Sequence, residues 1–301
     1  MRFVEFNGDK ISKLSLGTVQ FGLEYGIANT RGKPLQKDVN EIVSYVTSHG
    51  INCLDTAQAY GNSEKVIGKA IEDKNDLFIV SKLKTDLFKN HLHQNIDTSL
   101  DNLNISTLYG LLLHDSELLS SWNKEEHSKV KQLKEENKIK YFGVSIYTNE
   151  EFDLAIVNSD IDIVQIPFSL FDQRAITNGW LKRAKEKNKL LFIRSIFLQG
   201  LFFMDKENLP QKLSNARELL STFEAYKDKL ELSKAQLALN FVNSVAKDSV
   251  LLFGCDSLEQ AKENIDSFNN LMPLSKDIID ELIFTFKNVD EQIYNPSRWQ
   301  K

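Results

Sequence analysis

Eight short runs rich in β-branched and aliphatic residues recur along this 301-residue chain, each separated from the next by a longer segment with helical spacing. They cover residues 13–19, 52–56, 77–82, 107–114, 141–146, 161–166, 190–196 and 249–254. Several are continuously apolar, the pattern of parallel strands covered on both faces by helices. Between them, Val39, Ile42, Val43 and Val46 share one stripe of a helix over 38–49, with Gly50 as its C-cap. Ser63 reads as the N-cap of another helix, and 122–136 and 175–187 read as amphipathic helices. Eight such units predict an α/β fold, a (β/α)8 barrel of the TIM type, forming a single domain over residues 1–301. The doubly wound alternative usually carries a glycine-rich phosphate turn after its first strand. Here the first run leads into Gly17-Thr18-Val19-Gln20-Phe21-Gly22, which lacks that pattern. Residues 2–10, with Asn7-Gly8-Asp9 at the turn, predict an N-terminal β-hairpin that plugs the barrel bottom. The widest gap, 200–248, predicts an insertion between strands 7 and 8 placed to cover a substrate.

Composition narrows the partners. With 37 Lys and Arg against 42 Asp and Glu, the net charge is −5, which argues against a nucleic-acid or anionic-membrane binder. The apolar runs fall far short of the roughly 20 residues a membrane helix needs, and charges interrupt the first nine positions where a signal peptide needs an apolar core. The expectation is a cytoplasmic protein. Cys53 and Cys255 are too few for a disulfide framework and wrongly spaced for a metal site, as befits a reducing compartment. His91 and His93 sit in a Lys/Asn stretch with no carboxylate at ligand spacing, so no metal is expected. Nothing in the pattern encodes an oligomeric state.

Active sites of such barrels form where the strands end. The second run ends in Asp55-Thr56, the third in Ser81-Lys82 and the fourth in His114-Asp115. The fifth ends near Ser145, the sixth near Gln165, and the seventh carries Arg194-Ser195. Only seven basic residues are arginine, so Arg194 inside an apolar run calls for a reason. Any single polar strand end is ordinary, because a strand must meet a loop. The whole set would project titratable and amide groups into one bowl.

The stretch Leu54-Asp55-Thr56-Ala57-Gln58-Ala59-Tyr60-Gly61-Asn62-Ser63-Glu64 resembles the signature of the aldo-keto reductases. The likeness extends through Ile79-Val80-Ser81-Lys82, Leu113-His114, Gly143-Val144-Ser145 and Val164-Gln165. It also takes in Leu16-Gly17-Thr18 near the start and residues 254–264 near the end, and points to a divergent bacterial-type subgroup. The resemblance implies a nicotinamide-dependent oxidoreductase that reduces an aldehyde or ketone to an alcohol, with Asp55, Tyr60, Lys82 and His114 as its catalytic set. Elementary chemistry agrees: carbonyl reduction needs a proton donor at the developing alkoxide. A free phenol, with a pKa of about 10, is a weak acid at neutral pH, and a neighbouring Lys82 ammonium is expected to lower it. Asp55 would keep Lys82 charged, and a neutral His114 would orient the carbonyl.

For the cofactor, the resemblance implies Gly17, Thr18, Ser145, Gln165, Arg194, Ser195, Gly254, Asp256, Gln260 and Asn264 as the binding residues, and NADP(H) as the ligand. Three positions depart from the family's pattern. Ile146 stands where an Asn usually helps hold the nicotinamide amide. Arg194 stands where an aromatic usually stacks, so it either stacks on the ring, grips an anionic substrate, or is a structural arginine. Asp256 stands where Lys or Arg usually holds the 2′-phosphate, which leaves NAD(H) open. A polar, anionic or sugar-derived small-molecule carbonyl substrate would suit Arg194, with Phe21, Tyr25 and Phe168 as pocket walls. Two other functions compete: a non-catalytic cofactor-binding regulatory subunit, and a lyase using Lys82 as a Schiff-base nucleophile, which Asp55 disfavours.

Overall fold

Asn7 and Gly8 take two successive positive-φ positions, +49° and +91°. That geometry pairs strands β1 (Phe3–Phe6) and β2 (Asp9–Ser12) as an antiparallel hairpin. The structure, a computed structural model, describes residues 1–71 and 77–299. Eight parallel strands follow: β3 (Leu14–Gly17), β4 (Cys53–Asp55), β5 (Phe78–Leu83), β6 (Leu108–Leu113), β7 (Ile139–Ser145), β8 (Ile163–Pro167), β9 (Leu190–Arg194) and β10 (Val250–Gly254). Each pairs with its neighbour in chain order, and β10 closes on β3 to complete a barrel. The eight expected strands are all present, the ends differing by a few residues.

Strand alternation divides the side chains into two apolar clusters. Leu14, Leu16, Leu54, Ile79, Phe142, Val164, Ile193 and Phe253 point outward against the helices. Cys53, Val80, Leu112, Tyr141, Phe192 and Leu252 point inward, and the hairpin's Val4, Phe6 and Ile11 pack beneath them. Phe6 meets Tyr141 edge-on at 5.1 Å between centroids, so the hairpin closes the bottom of the barrel as its sequence pattern predicts. Lys13, 4% exposed, reaches from the start of β3 to three carbonyls just before β10: Ala246 at 2.5 Å, Ser249 at 2.6 Å and Lys247 at 2.8 Å. All three ammonium protons are thereby satisfied at the seam where the barrel closes.

Two helix expectations need correction. The helix over Ser63–Ala70 starts one residue after Asn62, and Ser63 is buried inside it rather than capping it. Its hydroxyl instead serves the barrel wall. The expected helix over 175–187 is two short ones, Arg174–Thr177 and Trp180–Glu186, because Gly179 takes φ +65° and breaks the run. The insertion between β9 and β10 holds several 3₁₀ turns and two helices, Arg217–Lys229 and Lys234–Val245. Among the described residues, no helix is long and apolar enough to cross a membrane.

Candidate active site

Alternation carries the inward register up to the C-terminal ends of the strands. Two residues beyond inward-facing Cys53, Val80, Leu112, Ile163, Phe192 and Leu252 lie Asp55, Lys82, His114, Gln165, Arg194 and Gly254. Ser145 ends β7 in the same register. At the centre, Lys82 Nζ donates to Asp55 Oδ2 at 2.6 Å and to the Thr56 carbonyl at 2.8 Å. Gln165 Nε2 donates to the other carboxylate oxygen, Asp55 Oδ1, at 2.8 Å. Lys82 is 1% and Asp55 3% exposed, so this is a dry ion pair with both carboxylate oxygens engaged. Burial pushes the Lys82 ammonium below its usual range, against the pull of Asp55.

Tyr60 lies on the loop after β4, and the chain around it fixes that loop firmly. A side chain at Gly22 would sit on the Tyr60 carbonyl oxygen, so only glycine allows this approach. Thr18 donates to the Asp55 carbonyl at 2.9 Å, Ser63 to the Thr18 carbonyl at 2.9 Å, and Thr56 to the Ser63 hydroxyl at 3.1 Å. Thr18 is fully buried in this network, which ties β3, β4 and the Tyr60 loop together.

The Tyr60 ring stands edge-on to His114, with centroids 5.7 Å apart, and Lys82 Nζ lies 5.0 Å from the Tyr60 centroid. Among the described residues, neither the Tyr60 hydroxyl nor a His114 ring nitrogen has a hydrogen-bond partner within the protein. Burial pushes the Tyr60 phenol well above its ordinary range; Asp55 adds to the rise and Arg194 opposes it. This corrects the expectation that Lys82 lowers it. The Lys82 charge is paired at 2.6 Å with Asp55, and the pair as a whole is close to neutral as seen from the phenol. His114 is pushed down to about 4 by burial and then by Lys82, so it is neutral at pH 7.

The far side of the bowl belongs to Arg194. It is half-buried at the end of β9, stacks 4.0 Å from the centroid of Tyr147, and donates through Nη2 to the Ile146 carbonyl at 3.1 Å and through Nη1 to Ser195 Oγ at 3.4 Å. Ile146 itself is fully buried in the outer cluster, so no polar side chain replaces the Asn that the resemblance suggests there. Phe21 and Phe168 are also fully buried in that cluster and are not pocket walls: Phe21 lies in the short helix Val19–Gly22, and Phe168, just past β8, falls on the outward register. Tyr25 does reach the site: its hydroxyl accepts from Gln199 Nε2 at 2.9 Å, and burial beside Tyr60 pushes its phenol up to about 12. Sequence reasoning missed Tyr147 and Gln199. Tyr147 was detectable as the next inward position after Ser145.

Where β3 and β10 meet, Gly17 and Gly254 lie opposite each other in register. A Cβ at Gly254 would press on the Gln20 amide at 2.5 Å, so the glycine makes a shallow cradle in which the Gln20 side chain rests. Gln20 Oε1 and Asp256 Oδ1 are both buried there without a partner. Ser257 caps the helix Leu258–Asn269 by accepting from the Gln260 amide at 3.2 Å. Gln260 Oε1 accepts from the Asp256 amide at 3.0 Å, and Asn264 Nδ2 donates to the Gln260 carbonyl at 2.8 Å. Thus the cradle, the cap and residues 256–264 form one continuous ledge beside the barrel mouth.

Comparison with known proteins matches this arrangement to one family. The model of the aldo/keto reductase family matches residues 13–283. The chain is similar to an uncharacterized oxidoreductase, YqkF, of Bacillus subtilis (strain 168), with 24% identity over 287 residues, 86% of this chain and 88% of that protein. It is likewise 24% identical over 296 residues to a D-arabinose 1-dehydrogenase of Saccharomyces cerevisiae, covering 87% of this chain and 84% of that one. Its fold is shared with an aldo/keto reductase from Klebsiella pneumoniae solved in complex with NADP and acetate, at a TM-score of 0.72 and 20% identity over 95% of both chains.

Proposed function

The chain belongs to the aldo/keto reductase family of oxidoreductases, and from that premise we propose that it reduces an aldehyde or ketone to an alcohol, with Tyr60 as the proton donor. The observation that carries this reading is the pair of unpartnered, neutral groups at the mouth. A buried phenol kept protonated and a neutral imidazole stand edge-on at 5.7 Å, both free to receive one oxygen atom. His114 orients the carbonyl oxygen by hydrogen bonding, and Tyr60 delivers its proton as negative charge develops there. The Lys82 ammonium lies 5.0 Å from the ring with its charge taken up by Asp55, which Gln165 also holds, so the phenol stays protonated until the substrate oxygen draws the proton away. That same tethering argues against Lys82 as a Schiff-base nucleophile.

The ledge beside β10 fits a dinucleotide. Gly254 allows close backbone approach, the capped helix Leu258–Asn269 presents its N-terminus, and the orphaned Gln20 and Asp256 oxygens are acceptors awaiting hydroxyl or amino donors. A bound reduced nicotinamide would supply the hydride. NADP(H) follows from family membership and from the NADP held by the Klebsiella pneumoniae neighbour. Asp256 is an acceptor where the 2′-phosphate would need a cation, so NADH competes with NADPH in this chain.

Replacing Tyr60 by Phe tests the reading. Turnover of an aldehyde substrate is expected to fall by roughly 10²–10⁴-fold, while the dissociation constant for reduced cofactor stays within about threefold. A variant that keeps turnover within tenfold of the parent overturns the assignment of Tyr60.

A further inference from the structure

Seven arginines are present, and five of them lie within 4.0 Å of a carboxylate: Arg31, Arg174, Arg183, Arg217 and Arg298. Arg2 sits at the other end of the barrel, over Phe268 and bonded to its carbonyl. Arg194 is thus the arginine at the mouth with no acidic partner among the described residues, although it is half-buried. Its neighbours support it without neutralising it. Tyr147 covers one face of the guanidinium, and the Ile146 carbonyl and Ser195 hydroxyl take one N–H from each terminal nitrogen. Nε and the second N–H of each terminal nitrogen stay uncommitted.

A second donor points the same way. Gln199 donates its amide N–H to the Tyr25 oxygen at 2.9 Å, so the Tyr25 proton must be donated elsewhere, and no protein acceptor receives it among the described residues. The segment carrying these groups is strained. Ser195, Leu198, Gln199 and Gly200 all have positive φ, at +64°, +46°, +54° and +93°. For the three non-glycine residues this costs on the order of 1 kcal/mol each. Strain of that kind persists where it holds a side chain in a required place. With Tyr60 and His114, the mouth offers hydrogen-bond donors and one uncompensated positive charge, a lining that matches an acceptor-only anion.

We propose that the substrate is a carbonyl compound bearing a carboxylate, with Arg194 and Tyr25 holding the carboxylate while Tyr60 and His114 address the carbonyl. This rests on the carbonyl-reductase reading above and names its substrate class. The carboxylate is unchanged in the reaction: hydride from reduced nicotinamide adds to the carbonyl carbon, and the Tyr60 proton adds to its oxygen.

The test compares acid and neutral carbonyls of matched size within each protein. Two pairs serve: succinic semialdehyde with butanal, and 4-carboxybenzaldehyde with its methyl ester. In the parent protein, kcat/KM for the acid of at least one pair should exceed that of its neutral partner by tenfold or more. In Arg194→Met that ratio should collapse towards one through KM for the acid, and Arg194→Lys should restore part of it. Ratios near one for both pairs in the parent, or an acid preference that survives in Arg194→Met, overturn the proposal. Calorimetric titration with 4-carboxybenzaldehyde and its ester separates this from the reaction itself. If neither pair is turned over, tenfold tighter binding of the acid, lost in Arg194→Met, supports the carboxylate site while the reductase reading fails. Equal binding of acid and ester overturns the site.

Discussion

His114 ties the chemistry of the mouth to pH. Its imidazole is held near 4 by burial and by the Lys82 charge, below the ordinary value of about 6.5. Between those values the unfolded chain takes up a proton that the folded protein refuses. Stability present above pH 6.5 is therefore lost progressively as the pH falls towards 4, and with it the neutral imidazole proposed to orient the carbonyl. Titration of the His114 ring proton by NMR should show its midpoint near 4, with none between 6 and 7; a midpoint near 6.5 would contradict the desolvated geometry. The strand-end residue types are legible in the sequence because each follows an apolar run and shares its inward register. Their protonation is not, since the states of Tyr60 and His114 depend on burial by loops distant in the chain. The assumption that Lys82 acts directly on the phenol fails for that reason: Asp55, which reaches it from another strand, takes up its charge first.

At the scale of elements, strand alternation separates Asp55, Lys82 and Gln165 inside the barrel from Ile146 and Phe168 outside it. The apolar runs reveal strands reliably because both faces are covered; they do not reveal a left-handed residue such as Gly179, which divides one apparent helix into two. In the turn before the helix Leu258–Asn269, a single position bears on the proposed choice of cofactor. Asp256 places a carboxylate, with one oxygen buried and unpartnered, beside a helix N-terminus that by itself favours anions. Asp256→Arg removes that repulsion and adds a phosphate-binding fork. The variant is expected to shift the ratio of NADH to NADPH dissociation constants at least tenfold towards NADPH. An unchanged ratio, measured by fluorescence titration of both cofactors, would show that Asp256 does not face the adenosine ribose.

Across the whole molecule, stability and chemistry occupy opposite ends of the barrel. The hairpin and the inward apolar layer form the floor, and the titratable groups form the mouth. Phe6 is 6% exposed and packs on Tyr141, so Phe6→Ala should cost about 3–4 kcal/mol in chemical denaturation. At temperatures where the variant is folded, kcat should match the parent; a parallel loss of kcat would show that floor and mouth are mechanically coupled. The seam between β3 and β10, clasped by Lys13, also bears on how the chain is made. Its partners are separated by more than two hundred residues, so closure cannot precede synthesis of everything between them. Until Val250–Gly254 has been made, β3 and β9 each present an open edge to other chains. The last barrel strand in chain order is the one that ends this exposure, so the hazard of misassembly is concentrated in the interval before it arrives.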